Sequence, residues 1–547
     1  MTHARIRRFS AAVALLGVVI ACGPTVQSVA ADSQLVKAAC GVPGIQLLRT
    51  SRGLRLDRSG DIQLFTSEPD YVGSGLPHIS PFDYVQDVPM FWYGPGYIRA
   101  QGSVRRPVLT PDIAPTEADL LNFDGFTAPD ARTMSEALEP ASQRKDPPKL
   151  IVTYVWDAAG DVVLDQWKND WPYLKSLIPD GTWYENATIA SSPASTAQIH
   201  TGMGTGAFPR EHGVIGHHFR IGETHVSPWK STATMPLLPT LADIYDRAMG
   251  NKPKVALSGT VAIHMGMESH GSLWGGGDKD IAILREADKA LTLGAEGIEW
   301  KLTPALENYF EFPSYANDLP TIDNYFKESD ILDGKQDKKW LGHPLSLKAE
   351  EYLAGFDTPA RIPYQQKLVE EIITREGLGR DNIPDLLFVN NKLIDTLAHI
   401  NKGLNGPEMR DAVEMQDRYL EKFVEFLNKQ VGKGNWAMVL TADHGATPYP
   451  KESGAFVISP GKIGAAINEE FGDGTLQFVQ PTQVFLDRET LDKNGDSIED
   501  VAKFLLTLTK GETFENAAPQ GAESNDRVFA AAFPTEEFGK LPCLKGV

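Results

Sequence analysis

Cysteine is nearly absent from this chain of 547 residues: only Cys22, Cys40 and Cys543 occur. That excludes a disulfide-dense mini-domain, and three thiols so far apart do not make a zinc knuckle. Positive charge is in deficit as well, with 52 Lys+Arg against 72 Asp+Glu and a net charge of -20. Such a surface lacks the clustered cations that polyanion binding needs, so no nucleic-acid polymer is expected as a partner. A small anionic substrate stays open, provided the site supplies its own cations. Beyond the first thirty residues no apolar run approaches the length of a bilayer span. Internal repeats and low-complexity tracts are missing, and no histidine follows His444. What is present is an ordinary globular composition, 42% hydrophobic and 23% charged, which excludes a collagen-like, coiled-coil or wholly disordered chain. The 49 glycines and 37 prolines imply many loops, where sites are commonly carried.

The N-terminus carries an address. Arg5, Arg7 and Arg8 precede an apolar run from Ala11 to Ala21, and small residues continue through Ala30 and Ala31. Residues 1–31 read as a secretory signal, the other reading being an anchor that is not removed. Cleavage after Ala31 would free a soluble protein. Val19-Ile20-Ala21-Cys22 also resembles a lipobox, in which Cys22 would carry a lipid anchor. Either way the folded part is expected outside the cytoplasm, periplasmic, extracellular or tethered to the envelope. An exported chain with one remaining cysteine pair usually oxidises it, which predicts a Cys40–Cys543 bridge; two free buried thiols are the alternative.

Three short runs, Lys149 to Val155, Pro384 to Val389 and Trp436 to Thr441, are β-rich and uninterrupted rather than alternating. That is the pattern of strands buried on both faces of a parallel sheet. Between the last two, Met409 to Leu427 places apolar residues at helical spacing. The fold class is therefore α/β, a doubly wound and mostly parallel sheet flanked by helices. Residues 139–148 (EPASQRKDPP) have linker composition, and 301–363 lack periodicity and read as a cap or insertion within the main domain, 149–547.

In such sheets ligands sit beyond the carboxyl ends of the strands. Asp157 follows the first run, Asp395 and His399 the second, and Asp443 and His444 the third, with Gly445 letting the chain turn. The spacing of Asp395 and His399 puts them on one face of a helical turn. Carboxylates and imidazoles mixed in this way are ordinary metal ligands. Residues 191–216 hold a hydroxyl cluster followed by a glycine-rich helix entry, which suits a phosphate. Gly202-Met203-Gly204-Thr205-Gly206 by itself could be no more than close packing.

Residues 150–216, Asp395-Thr-Leu-Ala-His399 and Thr441-Ala-Asp-His-Gly445 together resemble the alkaline phosphatase superfamily, nearest its type I phosphodiesterase/nucleotide pyrophosphatase branch. The resemblance implies two zinc ions, or other divalent metals, on Asp157, Thr196, Asp395, His399, Asp443 and His444. It implies Thr196 as nucleophile, ten residues before Gly206, passing through a phosphothreonine. It also requires a further metal-binding histidine, normally near the C-terminus, where this chain has none. The N-terminal quarter supplies a candidate: RSGDIQLF, GSGLPHISPFDY, VPMFWYGPG and TPDIAPTEADLL resemble the family's closing segment, and the second contains His78. A circular permutation is implied, with residues 41–138 in the family's C-terminal place, 139–148 joining its old ends, and Cys40 and Cys543 at the severed junction.

Two departures bear on substrate. The family's phosphate-holding Asn, twenty-one residues after the nucleophile, is His217 here. Monoesterase relatives carry Lys-x-Arg after a strand, whereas residues 258–271 contain no Lys or Arg and offer only His264 and His270. A diester carries one charge fewer, so the expectation is an exported phosphodiesterase acting on a small, lipid-linked or polymer-linked phosphate ester. The alternatives are a phosphomonoesterase and a non-catalytic envelope binding protein on the same fold.

Overall fold

Hydrophobic runs that do not alternate become strands buried along their whole length. The computed structural model describes residues 33–545 except 74, 145, 223, 286–299, 348–356, 401–402 and 514–524. The signal-like stretch, with Cys22, lies outside the described residues. Among those described, nine strands form the central sheet: β1 (Met90–Tyr93), β2 (Gly102–Val104), β3 (Leu150–Trp156), β4 (Thr182–Tyr184), β5 (Val255–Ser258), β6 (Asp280–Ile283), β7 (Phe310–Glu311), β8 (Asp385–Asn391) and β9 (Trp436–Thr441). Their order across the sheet is β7-β6-β5-β8-β3-β9-β1-β4-β2. The three runs singled out from the sequence are the adjacent strands β8, β3 and β9, buried at every position.

These central strands are parallel and in close register, Asn391 opposite Trp156 and Thr441 opposite Val155. Their carboxyl ends therefore fall on one edge of the sheet, and the residues that follow them converge there. β1 runs antiparallel to both its neighbours, β9 and β4. Its first residue, Met90, lies opposite Thr441. The loop entering β1 thus arrives at the same edge as the chain leaving β9, which is how a residue of the N-terminal quarter reaches the strand ends.

A second, four-stranded antiparallel sheet mixes the two ends of the chain. Ile62–Phe65 pairs with Gln483–Leu486 on one side and Ala531–Pro534 on the other. Its own core joins Leu35, Leu47 and Ile62 to Val484, Val501 and Phe538. At its border Cys40 and Cys543 form a disulfide, with Cα atoms 5.6 Å apart.

The helical periodicity after β8 becomes α3 below. Three helices matter for the site: α1 (Thr196–Thr205), α2 (Leu393–Ala398) and α3 (Pro407–Leu427). Pro407 opens α3 at a position whose backbone N–H would be unpaired anyway, and Met409, Val413, Leu420, Phe423, Val424 and Leu427 are buried along one stripe. Residues 139–144 and 146–148 are irregular, as their composition predicts, but not loose: Arg144 is buried and holds the Asp119 carboxylate at 2.5 Å. Residues 301–363 supply the edge strand β7 and a hairpin whose Trp340 donates its indole N–H to Asp411 of α3 at 2.9 Å. No helix among the described residues is long and apolar enough to cross a membrane.

Candidate metal centre and nucleophile

Three histidines at the common edge have their tautomers fixed by the backbone. His78 Nδ1 lies 3.0 Å from the Ala194 carbonyl, His399 Nδ1 2.9 Å from that of Gly75, and His444 Nδ1 2.8 Å from that of Gly445. A carbonyl oxygen only accepts, so each Nδ1 carries the proton and each Nε2 keeps its lone pair. These lone pairs face carboxylates. His78 Nε2 and His399 Nε2 are each 3.3 Å from Asp395 Oδ1, and His444 Nε2 is 3.3 Å from Asp443 Oδ2 and 3.7 Å from Asp157 Oδ1. The His78 and His444 rings stack at 3.5 Å.

Lone pair set against lone pair is repulsive unless a cation lies between. Asp157 Oδ1, Asp395 Oδ1 and Asp443 Oδ2 are all buried without a hydrogen-bond partner. Orphaned buried anions cost several kcal/mol each, about what metal ligation recovers. Two groups of donors lie close enough to share an ion: His78, Asp395 and His399, and Asp157, Asp395 and His444. The residues present therefore fit a metal centre. Burial pushes His78 down to about 4, with His444 beside it adding to the effect, which keeps its imidazole a neutral donor.

The nucleophile candidate sits against this cluster. Thr196 is the first residue of α1, and its Oγ1 is 3.4 Å from His444 Nε2. Ser195 precedes it as the helix cap. A ten-residue helix aimed this way presents free amides and the positive end of its dipole to an anion. The glycines of α1 are indeed close packing: a Cβ on Gly204 would meet the Met267 carbonyl at 2.7 Å, and one on Gly202 would meet the Ala207 carbonyl at 3.0 Å.

Several residues escaped the sequence reading. Lys392, between β8 and α2, places its ammonium 2.7 Å from Asp395 Oδ2 and 3.2 Å from Asp157 Oδ2. Burial, the largest single influence, pushes the Asp157 carboxyl up, but Lys392, His264 and His444 together outweigh it and the net direction is down. Asp443 lacks such a partner; burial and the neighbouring Asp157 push its carboxyl well up. Asn390 donates to Asp157 Oδ2 at 3.1 Å and meets His200 Nε2 at 3.0 Å. The offset of Lys392 from Asp395, three residues, was the one available signal.

The three histidines expected to touch substrate part company. His217 lies at the site: its Nε2 is buried and unpartnered, and it lines a groove with Ile79, Ser195, Gly216 and Gln480–Gln483. Burial first, then His78 and Lys392 nearby, push its imidazole well down. His264 is a correction. Its Nδ1 accepts from the Thr260 amide at 3.1 Å, so Nε2 carries the proton and faces Asp157 Oδ2 at 3.3 Å, orienting that carboxylate rather than meeting substrate. His270 is a second correction: its Nδ1 pairs with Asp243 at 2.6 Å, at the start of the helix Leu241–Ala248.

A mixed, largely parallel nine-stranded sheet of this order, flanked by helices, is the alkaline phosphatase-like fold. The crystal structure of the alkaline phosphatase PafA matches it with a TM-score of 0.51 at 20% identity, over 71% of this chain and 84% of that one. More narrowly, the profile of the type I phosphodiesterase / nucleotide pyrophosphatase family matches residues 155–512, and the chain belongs to that family. Curated relatives include the alkaline phosphatase PafA of Elizabethkingia meningoseptica, 26% identical over 67% of this chain and 74% of its own length. Another is the alkaline phosphatase PhoV of Synechococcus elongatus, 25% identical over 55% of this chain and 60% of its own length. The chain is accordingly a phosphoester hydrolase.

Proposed function

We propose that the protein is an exported two-zinc phosphodiesterase that works through Thr196. The observation that carries this reading is the set of backbone-fixed imidazole lone pairs and orphaned carboxylate oxygens gathered beside Thr196 Oγ1. One zinc would be held by Asp157, Asp443, His444 and Thr196, the other by Asp395, His399 and His78. Nitrogen and oxygen donors in these numbers suit zinc, with a position left for water or substrate. Such a pair, when bound, would supply positive charge to the attacking and leaving oxygens of the displacement.

The chain's own groups do the rest. The free amides at the start of α1 orient the phosphoryl oxygens. Thr196 Oγ1 gives up its proton and bonds to phosphorus while the bond to the ester oxygen breaks and the alcohol leaves. Water then cleaves the phosphothreonine and restores the hydroxyl. His217, with its free Nε2 in the groove, is placed to meet a phosphoryl oxygen where the family pattern has Asn. Lys392 and Asn390 hold the Asp157 and Asp395 carboxylates in place.

Diester preference rests on the lack of Lys-x-Arg in residues 258–271. The buried cations near the centre, Lys392 and Arg361, are held by the protein's own groups, Asp157 and Asp395 for the one and Thr260 for the other. His264 and His270 are committed to Asp157 and Asp243, so neither stands in for Lys-x-Arg against a dianionic phosphate. The monoesterase reading is favoured by the names of the two relatives. Comparing turnover of bis-p-nitrophenyl phosphate with p-nitrophenyl phosphate separates the two; the diester is expected to win. Thr196→Ala is expected to retain most of its metal and lose turnover, and unchanged turnover would remove Thr196 from the mechanism. Metal at two per chain with no turnover of any ester would favour the envelope binding protein.

Circular permutation belongs to the same proposal. The family match begins at residue 155 and leaves out His78, yet Ile62–Phe65 is sandwiched between strands from beyond residue 480. The Cys40–Cys543 bridge closes the junction that permutation opened, and residues 1–31 would have delivered the chain to a compartment where that bridge forms.

A further inference from the structure

At the opposite, amino-terminal edge of the sheet lies a second collection of acids that the phosphoester chemistry does not use. Asp280 opens β6, Asp278 follows the run Gly275-Gly276-Gly277, and Asp246 is on the helix Leu241–Ala248. One carboxylate oxygen from each lies within 4.8 Å of the others. Asp246 and Asp280 are buried, at 3% and 8% exposure, and Asp246 Oδ1 has no hydrogen-bond partner. Glu268, fully buried, lies near Asp280 and Asp243, and neither of its carboxylate oxygens has a hydrogen-bond partner. The charges that act most on Asp246, Asp280 and Glu268 are other carboxylates, Asp243 and Asp278 among them, while the Arg247 guanidinium lies against Gly276 in the same loop.

Buried like charges are costly, and the unpartnered Oδ1 of buried Asp246 within the cluster, with unpartnered Glu268 close behind Asp280, points to a missing positive ligand. All the donors are oxygens, with no His or Cys among the three closest, which selects a hard cation over zinc. Three glycines ahead of Asp278 give the loop the freedom to bend around an ion. Calcium, which accepts irregular shells of carboxylates and carbonyls, fits better than octahedral magnesium.

We infer that Asp246, Asp278 and Asp280 form a calcium site separate from the catalytic centre. The ion ties down the segment that supports the nucleophile. Ser269 Oγ donates to Asp280 at 2.5 Å, the His270 amide donates to Asp243 at 2.8 Å, and Thr240 Oγ1 donates to the Glu268 carbonyl at 2.7 Å. Just upstream, the turn Ala262–Met267 carries His264 against Asp157 and Gly266 against α1. Calcium is thus a structural ion here, holding the scaffold of the catalytic edge from behind.

The test uses the full-length protein in metal-depleted buffer with zinc resupplied, and Ca2+ alone as the probe. One Ca2+ per chain is expected by calorimetry, with a rise in Tm of roughly 2 °C or more at saturation. Asp278→Asn, at an exposed position, is expected to abolish that binding and the Tm rise. In calcium-free buffer the same variant is expected to be at least as stable as the parent, because it removes a repelling charge. Asp395→Asn, in the catalytic centre, is expected to keep the Ca2+ site, which separates this inference from the phosphodiesterase reading. Absence of Ca2+ binding in the parent, or binding unaltered by Asp278→Asn, would overturn it.

Discussion

His78 and His399 aim their Nε2 atoms at one oxygen, Oδ1 of Asp395, each at 3.3 Å. One imidazole precedes the antiparallel strand β1, the other ends α2, and both have their opposite nitrogen pinned by a backbone carbonyl. Two acceptors aimed at a third acceptor define a cation's position. The following predictions rest on that arrangement and on the packing around it.

Lys392 neutralises Asp157 and Asp395 from within the site. Removing one partner of a buried ion pair strands the other, typically at about 3–5 kcal/mol. Lys392→Met is therefore expected to lower the stability of the metal-free protein by that order, and by less when metal is bound and shares the neutralisation. Urea unfolding with and without resupplied zinc measures both. Equal losses in the two states would contradict the role assigned to Lys392.

The disulfide closes nearly the whole chain into a loop, from Cys40 to Cys543. Cross-links of this kind contribute about 2–4 kcal/mol through the unfolded state. Cys40→Ser/Cys543→Ser is expected to lower Tm while leaving metal content and turnover at low temperature intact, because neither residue approaches the site.

Glu117, on the helix Ile113–Leu120, is buried with Thr153 Oγ1 as its hydrogen-bond donor. Burial raises its carboxyl from the usual value to about 7. A folded-state value above the unfolded one favours the fold while the group is protonated. That stability is complete below about 4.5 and is lost as pH rises through about 7. Glu117→Gln is expected to flatten the decline in Tm between pH 5 and pH 8, an effect on the order of 2–3 kcal/mol at the alkaline end. Parallel pH profiles of parent and variant would contradict it.

Gly445 follows Asp443 and His444 directly. A Cβ there would fall 2.1 Å from the Tyr84 carbonyl, and the Gly445 amide donates to the Val85 carbonyl at 3.0 Å. Gly445→Ala must push β9's exit away from the loop that carries His78. The expected result is weaker metal binding and a loss of stability of about 1–3 kcal/mol, read by elemental analysis and thermal unfolding.

Much of this was legible in the residues themselves. Uninterrupted apolar runs located β3, β8 and β9 to within two residues at either end, because strands covered on both faces need no alternation. The Asp and His that follow them were legible because chemistry at a parallel sheet collects at the carboxyl ends. His78 was reached through family likeness, since nothing in its own neighbourhood reveals that β1 runs antiparallel and delivers the preceding loop to the site. Lys392 and Asn390 carried little signal: their importance comes from burial beside carboxylates, which a linear pattern does not display. His264 and His270 were misplaced for the same reason, as each imidazole is committed to a carboxylate, Asp157 or Asp243, that only the fold brings near. The described residues of 301–347 lack periodicity because they form short turns, an edge strand paired with β6 and a hairpin whose Trp340 reaches α3, while the groove beside His217 is lined instead by 480–483.

The most direct test is elemental analysis of His78→Ala beside the parent, each purified as the full chain and dialysed against trace zinc. The account predicts two zinc ions per parent chain, close to one in the variant, and a matching collapse of ester turnover without unfolding. A variant that keeps both ions and full turnover would contradict it.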